Sequence, residues 1–309
     1  MIRFALFPLF LLAPFAVADA PATRPARVLV ISIDGLRPDV ALRAKMPNLR
    51  HLMETGSFTF WARTTAVAMT LPSHTSMLTG VTVNKHLIEW NRDLPLRNSV
   101  YPAFPTLFEA AKSHGYTTAM VAGKSKFNIL EKPGTLDWSW ITTDSATEDP
   151  DVAAHAIAII NDHTPQVMFV HFPSVDNAGH AKGWGSVEQL ATAERADAAL
   201  GAVLAALDEV KLRDQTLVIL TADHGGAGRY HGADDERSRH IPWIVAGPGV
   251  RRNFDLTLVS ELTVNTYDTF ATACFVMKIP LDKRLDGKPL TQIFEIGELI
   301  QPATKETMR

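Results

Sequence analysis

Three apolar runs in this 309-residue chain each lead to an aspartate with further chemistry close behind it. "VLVISI" runs into Asp34-Gly35. "VMFVHF" passes through Pro173-Ser174-Val175 to Asp176, with His180 four residues on, and "LVILTA" runs into Asp223-His224-Gly225-Gly226. Singly, an aspartate after a strand is an ordinary turn former or helix cap. Three carboxylates and two or more histidines gathered at one place, however, would repel one another or stay unsatisfied unless a cation sat among them. An oxygen and nitrogen donor set without thiolate suits zinc and is compatible with manganese or iron. Two further histidines, His231 and His240, follow in "TADHGGAGRYHGADDERSRHIPWIVAGPGV", where Gly225, Gly226, Gly228 and Gly232 let the loop fold back toward the strand end.

A second stretch, "AMTLPSHTSMLTG" from Ala68 to Gly80, carries five hydroxyls: Thr70, Ser73, Thr75, Ser76 and Thr79. Proline is tolerated in a first helical turn, so "PSHTSMLTG" reads as a helix ending at Gly80, with Thr70 just ahead of its N-terminus. An alkoxide there would meet open backbone N–H groups and the positive end of the helix dipole. That dipole contributes roughly 0.3–1 kcal/mol, several times less than ionising an alcohol near neutral pH requires, so metal coordination must supply the larger part. The other four hydroxyls read as polar residues within or capping the helix. A Ser-His pair through His74 is disfavoured, because adjacent side chains on a helix point apart and no G-x-S-x-G elbow is present.

These residues need strands to bring them together. The chain alternates short β-branched runs with longer helical patterns, which predicts an α/β fold with a mostly parallel central sheet and helices on both faces. The strands are expected at "ARVLVISI" (26–33), "YTTAMVA" (116–122), "QVMFVHF" (166–172), "QTLVILTA" (215–222) and "HIPWIVAG" (240–247). Helical spacing marks "FPTLFEAAKSHG", "DPDVAAHAIAIINDH", "SVEQLATAERADAALGAVLAALDEVK" and "LTVNTYDTFATACFVM". In an open parallel sheet the carboxyl ends share one edge, so Asp34, Asp176 and Asp223 are predicted to meet in one crevice.

Composition bounds the partners. Hydrophobic residues make up 46% and charged residues 20%, with a formal net charge of −3. The balance and the lack of a basic run exclude a nucleic-acid-binding surface. Residues 1–20 hold an early arginine, an apolar run from Phe4 to Val17 and a small-residue end at Ala18 or Ala20. This is the pattern of a cleaved signal peptide, since about 14 apolar residues fall short of the ~20 a spanning helix needs. The mature protein, residues 21–309, is therefore expected in the periplasm or secreted, with no membrane span. Its one cysteine, Cys274, excludes an intramolecular disulfide and a Cys-based metal site.

Read in order, "ISIDGLRPD", "MPNLRHLMETG", "TLPSHTSMLTGV", "NKHLIEWN", "PTLFEAAKSHGYTTAMVAGK", "SVDNAGHAKG", "TADHGG" and "HGADDE" with the later "IPWIVAGPGV" span roughly Val28 to Val250. The ordered set resembles the alkaline phosphatase superfamily and, within it, the type I phosphodiesterase/nucleotide pyrophosphatase family. The resemblance implies an alkaline phosphatase-like catalytic domain over 21–309, with a small cap insertion near 81–140 and two divalent metal ions, typically zinc. By the family pattern, Asp34, Asp223 and His224 hold one ion together with the nucleophile, Thr70. Asp176, His180 and a later histidine hold the other. His231 is the preferred later ligand, because "HGADDE" resembles the family's His-Gly motif ahead of an acidic turn; His240, placed as in the phosphomutase branches, is the alternative. Asn91 matches an asparagine that, in nucleotide pyrophosphatases, helps bind a non-bridging phosphoryl oxygen.

The implied reaction is in-line attack of Thr70 on phosphorus, followed by hydrolysis of the phosphothreonine. Expected substrates are small-molecule phosphodiesters or nucleotide pyrophosphates. Trp90, Trp184 and the aromatic-rich region from Val83 to Trp140 are candidates for an apolar substrate pocket. Hydrolysis of phosphomonoesters is the alternative, with Arg92 beside Asn91 as a candidate phosphate clamp. Lys124 and Lys126 in "VAGKSKF" follow a predicted strand, and so either reach the same edge or stand solvated. A sulfatase is disfavoured, since the nucleophile motif carries Thr where sulfatases need a modifiable Cys or Ser. A non-catalytic metal-binding relative is a further alternative, against which the full ligand set together with Thr70 argues.

Overall fold

The computed structural model describes residues 25–93, 100–232 and 235–295, so the signal peptide expected at 1–20 lies outside the described residues. The strands are β1 (Arg27–Ile33), β2 (Gly56–Arg63), β3 (Thr118–Ala122), β4 (Trp138–Ile141), β5 (Val167–Phe172), β6 (Thr216–Thr221), β7 (His240–Ala246) and β8 (Phe254–Asp255). They form one sheet in the order β4-β3-β5-β1-β6-β7-β2-β8. From β4 to β6 the pairing is parallel throughout. At β7 the direction reverses: it runs antiparallel to both β6 and β2, while β8 joins β2 in parallel. The α/β class and the mostly parallel sheet are those the sequence pattern predicts. β1, β5 and β6 read RVLVISI, VMFVHF and TLVILT and are buried almost end to end, as strands covered on both faces must be.

The α-helices are α1 (Pro38–Arg43), α2 (Pro47–Glu54), α3 (Thr70–Thr79), α4 (Val83–His86), α5 (Leu107–Ser113), α6 (Asp149–His163), α7 (Ser174–Lys182), α8 (Val187–Glu209), α9 (Glu236–Arg239) and α10 (Asp268–Val276). α8 gathers α1, α2, α6 and α7 on one face of the sheet, while α10, α3, α4 and α5 cover the other. Local chemistry fixes the ends of several. A capping box between Glu148 and Asp151 starts α6, and Thr106 with Glu109 does the same for α5. At α3 the structure departs from expectation: the helix begins at Thr70 itself, with Met69 as its N-cap, rather than after it. Pro72 is then the third helical residue, a position whose N–H would have had no partner within the helix in any case. The helix ends at Gly80, whose φ of 72° supplies the left-handed cap.

Three strands escaped the sequence pattern, β2, β4 and the two-residue β8. β2 lies beside the reversed β7 with a register shift between Thr59 and Ala62, and β4 is the short edge strand WSWI. Trp138 and Trp140 of β4 stack on His163 and His155 of α6. Both tryptophans therefore line the sheet edge rather than a substrate pocket. The region assigned to a cap also contributes α5, β3 and β4 to the sheet domain. What is left as irregular chain is residues 87–93 and 100–106; residues 94–99 fall outside the described residues. No helix among the described residues is long and apolar enough to cross a membrane.

His86, at the end of α4, is fully buried. Its Nδ1 accepts from the Ile88 N–H at 3.1 Å and its Nε2–H donates to Ser76 Oγ at 2.8 Å, so the neutral ring is the one that fits. Burial lowers its pKa from 6.5 to about 4. The unfolded chain takes up this proton below about pH 6.5 and the folded protein only near pH 4, so stability falls as pH drops through that window, by roughly 3 kcal/mol at its lower end. Replacing His86 by Gln should flatten the decline between pH 6.5 and 4 in urea-unfolding series, whereas parallel declines in both proteins would remove His86 as its source.

Candidate metal centre

The sheet register aligns Ser32 with His171 on one side and Thr221 on the other, so β1, β5 and β6 end level with one another. Asp34 follows β1 directly, Asp223 follows β6 after Ala222, and Asp176 stands in the first turn of α7. Gly35 allows the close approach between them: a Cβ there would lie 2.9 Å from the Asp176 Cα, and its φ of +72° is one that other residues rarely adopt. Gly35 N–H donates to Asp223 Oδ1 at 3.1 Å. Asp34 Oδ2 accepts from His171 Nε2 at 2.8 Å and from the Lys124 ammonium at 2.7 Å. The same ammonium donates to Asp176 Oδ2 at 2.6 Å. All three carboxylates are buried, and each retains one buried oxygen without a hydrogen-bond partner: Asp34 Oδ1, Asp176 Oδ1 and Asp223 Oδ2.

Backbone carbonyls set the tautomers of three histidines. His224 Nδ1–H donates to the Gly225 carbonyl at 2.8 Å, His231 Nδ1–H to Ala68 at 3.0 Å, and His180 Nδ1–H to Arg229 at 2.9 Å. A neutral ring with its proton on Nδ1 presents a lone pair at Nε2. The Nε2 atoms of His180 and His231 face each other at 3.0 Å, with Asp176 Oδ1 at 3.4 and 3.8 Å. His224 Nε2 lies 3.4 Å from Asp34 Oδ1, 3.2 Å from Asp223 Oδ2 and 3.4 Å from Thr70 Oγ1. Lone pairs and carboxylate oxygens held this close, with the Thr70 hydroxyl beside them, are what divalent cations satisfy. Two groups have the spacing to hold an ion, Asp176–His180–His231 and Asp34–Asp176–His224. Asp176 belongs to both, and Asp223 faces the second group through its unpartnered oxygen.

The protein's own charges leave this cluster unbalanced. Burial raises the Asp34 pKa, but Lys124, His171 and His224 outweigh it and hold the group well below the usual carboxylate range. Asp223 goes the other way: burial, then the Asp34 and Asp176 charges, drive it well above. His224 is lowered to about 4 by burial and by His231 beside it, and His231 is lowered by burial. The rings of His224 and His231 stack at 3.7 Å between centroids.

Thr70, Asn91, Asp34, Asp176, His180, Asp223, His224 and His231 thus come to one edge of the sheet. Asn91 Oδ1 accepts from the Leu71 N–H at 2.9 Å, next to Thr70. His240 stands apart, paired with Glu236 at 2.6 Å and edge-on to Trp61. His74 touches the Thr70 carbonyl and Ser32 Oγ, not the Thr70 hydroxyl. Trp184 is buried, donates through Nε1 to the Gly35 carbonyl at 2.9 Å and meets the rings of His180 and His231 edge-on, so it braces the β1 turn beside the cluster. Trp90 is half-buried against the core, and Arg92 is exposed. Lys126 donates to both oxygens of Asn91, at 3.1 and 3.3 Å. Sequence reading passed over His171, although a histidine in an otherwise apolar buried strand is a signal in itself, and left Lys124 undecided between the crevice and solvent.

A model of the type I phosphodiesterase/nucleotide pyrophosphatase family matches residues 28–234. The chain belongs to this family. Among curated proteins, arylsulfatase K of Bos taurus is 33% identical over 99 residues, 30% of this chain and 18% of that protein. Steryl-sulfatase of Rattus norvegicus is 30% identical over 189 residues, 53% of this chain and 31% of that protein. The chain spans about a fifth of the length of the arylsulfatases K it matches. Among solved structures, murine ectonucleotide pyrophosphatase/phosphodiesterase 5, an inactive variant in complex with AMP, superposes with a TM-score of 0.72 at 14% identity, over 87% of this chain and 100% of that one. A phosphonate monoester hydrolase from Silicibacter pomeroyi gives 0.62 at 16% identity, over 86% and 76%. At such identities the likeness is one of fold, and this family member shares the alkaline phosphatase-like fold of these neighbours.

Lys124 is the one cation in contact with both Asp34 and Asp176 among the described residues. Lys124→Met should therefore destabilise chelator-treated protein by about 3 kcal/mol in urea unfolding at pH 7.5, the scale for removing one partner of a buried ion pair. An unchanged midpoint would mean that the two carboxylates relax into solvent.

Proposed function

We propose that this protein is a metal-dependent phosphoester hydrolase in which Thr70 is the nucleophile. The observation that carries the reading is the convergence of three unpartnered carboxylate oxygens and three histidine lone pairs on one edge of the sheet, with the Thr70 hydroxyl in contact with His224. In this reading Asp34, Asp223, His224 and Thr70 hold one divalent ion and Asp176, His180 and His231 the other, with zinc suited to the donor set. Such ions, when bound, supply Lewis acidity that depresses the pKa of the alcohol and neutralises charge growing on the phosphoryl oxygens.

The chain's own residues position the reaction. Thr70 Oγ1 attacks phosphorus in line; the Oγ1–P bond forms, the bond from phosphorus to the leaving oxygen breaks, and that oxygen takes up a proton. At the first position of α3 the phosphothreonine presents its oxygens to the amide end of the helix. Asn91 is oriented by its bond from Leu71 N–H, which leaves its NH2 end as a donor to a non-bridging oxygen. Water then forms a new O–P bond as the Oγ1–P bond breaks, which restores Thr70.

Family membership supports phosphodiesters and nucleotide pyrophosphates as the substrate class. Monoesters are a second reading, which the two lysines in the crevice favour. The sulfatase relatives offer sulfate esters, but Thr70 is not a residue that can be converted to the sulfatase nucleophile. The only cysteine, Cys274, is buried in α10, where burial pushes its thiol up to about 12. The apolar run at 1–20, read as a signal peptide, supports export of a catalytic domain over 21–309 to the periplasm or medium.

Assays on p-nitrophenyl phosphate and on the p-nitrophenyl phosphodiester of thymidine, with and without zinc, test the reading directly. Zinc-dependent turnover of at least one ester is expected, and hydrolysis of neither at any metal loading would remove the hydrolase assignment. Thr70→Ala should lower turnover by about a thousandfold or more while zinc content stays unchanged. Loss of zinc from that variant would recast Thr70 as chiefly a ligand.

A further inference from the structure

Among the described residues, His74 is the polar side chain of α3 that makes a hydrogen bond to a strand. Ser73 meets Thr64 and Thr65 after β2, Ser76 meets His86 of α4, and Thr75 and Thr79 bond back to the Leu71 and Thr75 carbonyls of the helix itself. His74 instead crosses to β1, where its Nε2 lies 2.7 Å from Ser32 Oγ, while its Nδ1 lies 2.8 Å from the Thr70 carbonyl. A carbonyl can only accept, so the proton sits on Nδ1 and the Ser32 hydroxyl donates to Nε2. Asp223 Oδ2 lies 3.4 Å from the same Nδ1 without a hydrogen bond to it. Both ring nitrogens are thus engaged, and neither is left to take the proton of the Thr70 hydroxyl.

The ring sits where an apolar side chain would serve for packing. It is fully buried and lies edge-on to Phe127, Phe169 and His171, with centroids 4.9, 5.8 and 5.0 Å away. A hydrocarbon of similar volume would fill this slot with no polar nitrogens to satisfy. What the nitrogens add is a closed circuit. Ser32 stands two residues before Asp34, and Asp34 and Thr70 share one ion in the hydrolase reading. From the Thr70 carbonyl through His74 to Ser32, and along the end of β1 to Asp34, the chain fixes how far the first turn of α3 stands from the ligands. In-line attack depends on that distance, since a misplacement of about 1 Å costs on the order of 100-fold in rate.

We infer that His74 is a positioning residue for phosphoryl transfer: pinned by Ser32, its ring holds the first turn of α3 so that Thr70 Oγ1 is in line with phosphorus, and it takes no proton from Thr70. This rests on the reading of Thr70 as the nucleophile. Because His74 acts through the Thr70 carbonyl, it governs the chemical step and leaves ester binding and zinc binding to other residues.

The zinc-loaded protein would be compared with His74→Leu, His74→Asn and Ser32→Ala on p-nitrophenyl phosphate and the p-nitrophenyl phosphodiester of thymidine, with zinc content and affinity for inorganic phosphate measured on each. In His74→Leu, kcat should fall about 100-fold while KM, zinc content and the phosphate Kd change by less than about 3-fold. Asparagine places an amide donor near where His74 Nδ1 stands, so His74→Asn should recover at least about 10-fold of that loss. Ser32→Ala should lower kcat about 10-fold, and adding it to His74→Leu should cost nothing more, as for two members of one chain of contacts. Equal losses in the Asn and Leu variants, a loss carried by KM or by zinc, or additive losses in the double variant would overturn the assignment. Should His74→Leu fold poorly, Ser32→Ala and His74→Asn carry the same comparison. Nitrogen NMR of the histidines reads the pin without turnover: His74 should hold its proton on Nδ1, in a resonance missing from His74→Leu, and a proton on Nε2 would overturn the assignment whatever the esters do. If the wild type hydrolyses neither ester yet shows that Nδ1 proton, the hydrolase reading fails and His74 stands as the pin of Thr70.

Discussion

Everything at the carboxyl edge of this sheet answers to one constraint: three buried carboxylate oxygens, on Asp34, Asp176 and Asp223, have no donor in the protein. Leaving such atoms unpaired in a dry interior costs several kcal/mol. The surrounding chain does not relieve this, although it had the means to. Lys124, His171 and the Gly35 amide each take the other oxygen of an aspartate and leave the unpartnered one in place. A set of donors that fixes one oxygen and spares the next is how a protein orients ligands for a cation.

The histidines follow the same logic from the opposite side. Three backbone carbonyls, from Ala68, Gly225 and Arg229, fix the protons on Nδ1 and thereby turn every Nε2 lone pair into the cluster. These carbonyls belong to irregular chain, which is why the glycine-bearing loop after β6 is needed: Gly228 and Gly232 adopt positive φ and let His231 fold back over His224. Trp184 secures the arrangement from behind, since its indole holds the Gly35 carbonyl while its backbone N–H binds the Gly228 carbonyl at 2.7 Å. The turn after β1 and the loop after β6 are thus locked to one residue.

How much of this could be read in advance depended on range. Strands that end in Asp34 and Asp223 are visible because a β-branched run and its terminal residue are neighbours in sequence, and α6 is legible to the residue because its caps are local. Thr70 was placed one step ahead of its helix because Pro72 marks a first turn without saying how many residues precede it within that turn. His171 and Lys124 were harder. Their partner, Asp34, is set by the β1–β5–β3 register, which pairs Ser32 with His171 and His171 with Ala122, and nothing local in "VMFVHF" or "VAGKSKF" encodes that pairing. β2 was missed for a related reason: GSFTFWAR becomes a strand by pairing with β7, whose reversal of direction no short-range pattern announces. His240 shows the converse. It does reach the same edge, because β7 is antiparallel there, yet Glu236 four residues earlier captures its ring.

Lys124 also limits what the cluster can do. By occupying Oδ2 of both Asp34 and Asp176 it leaves each carboxylate a single oxygen to offer, and Gly35 imposes the same restriction on Asp223. Three aspartates that could otherwise each grip an ion with two oxygens are thereby reduced to one apiece. A closed shell of protein ligands suits a structural ion, whereas a site meant to bind a reacting group must keep positions open. The lysine that most lowers the electrostatic strain among the aspartates is therefore the one that keeps their coordination sparse, with the Thr70 hydroxyl 3.4 Å from His224 Nε2. A chain built only to bury and neutralise its acidic residues would have used both oxygens of each.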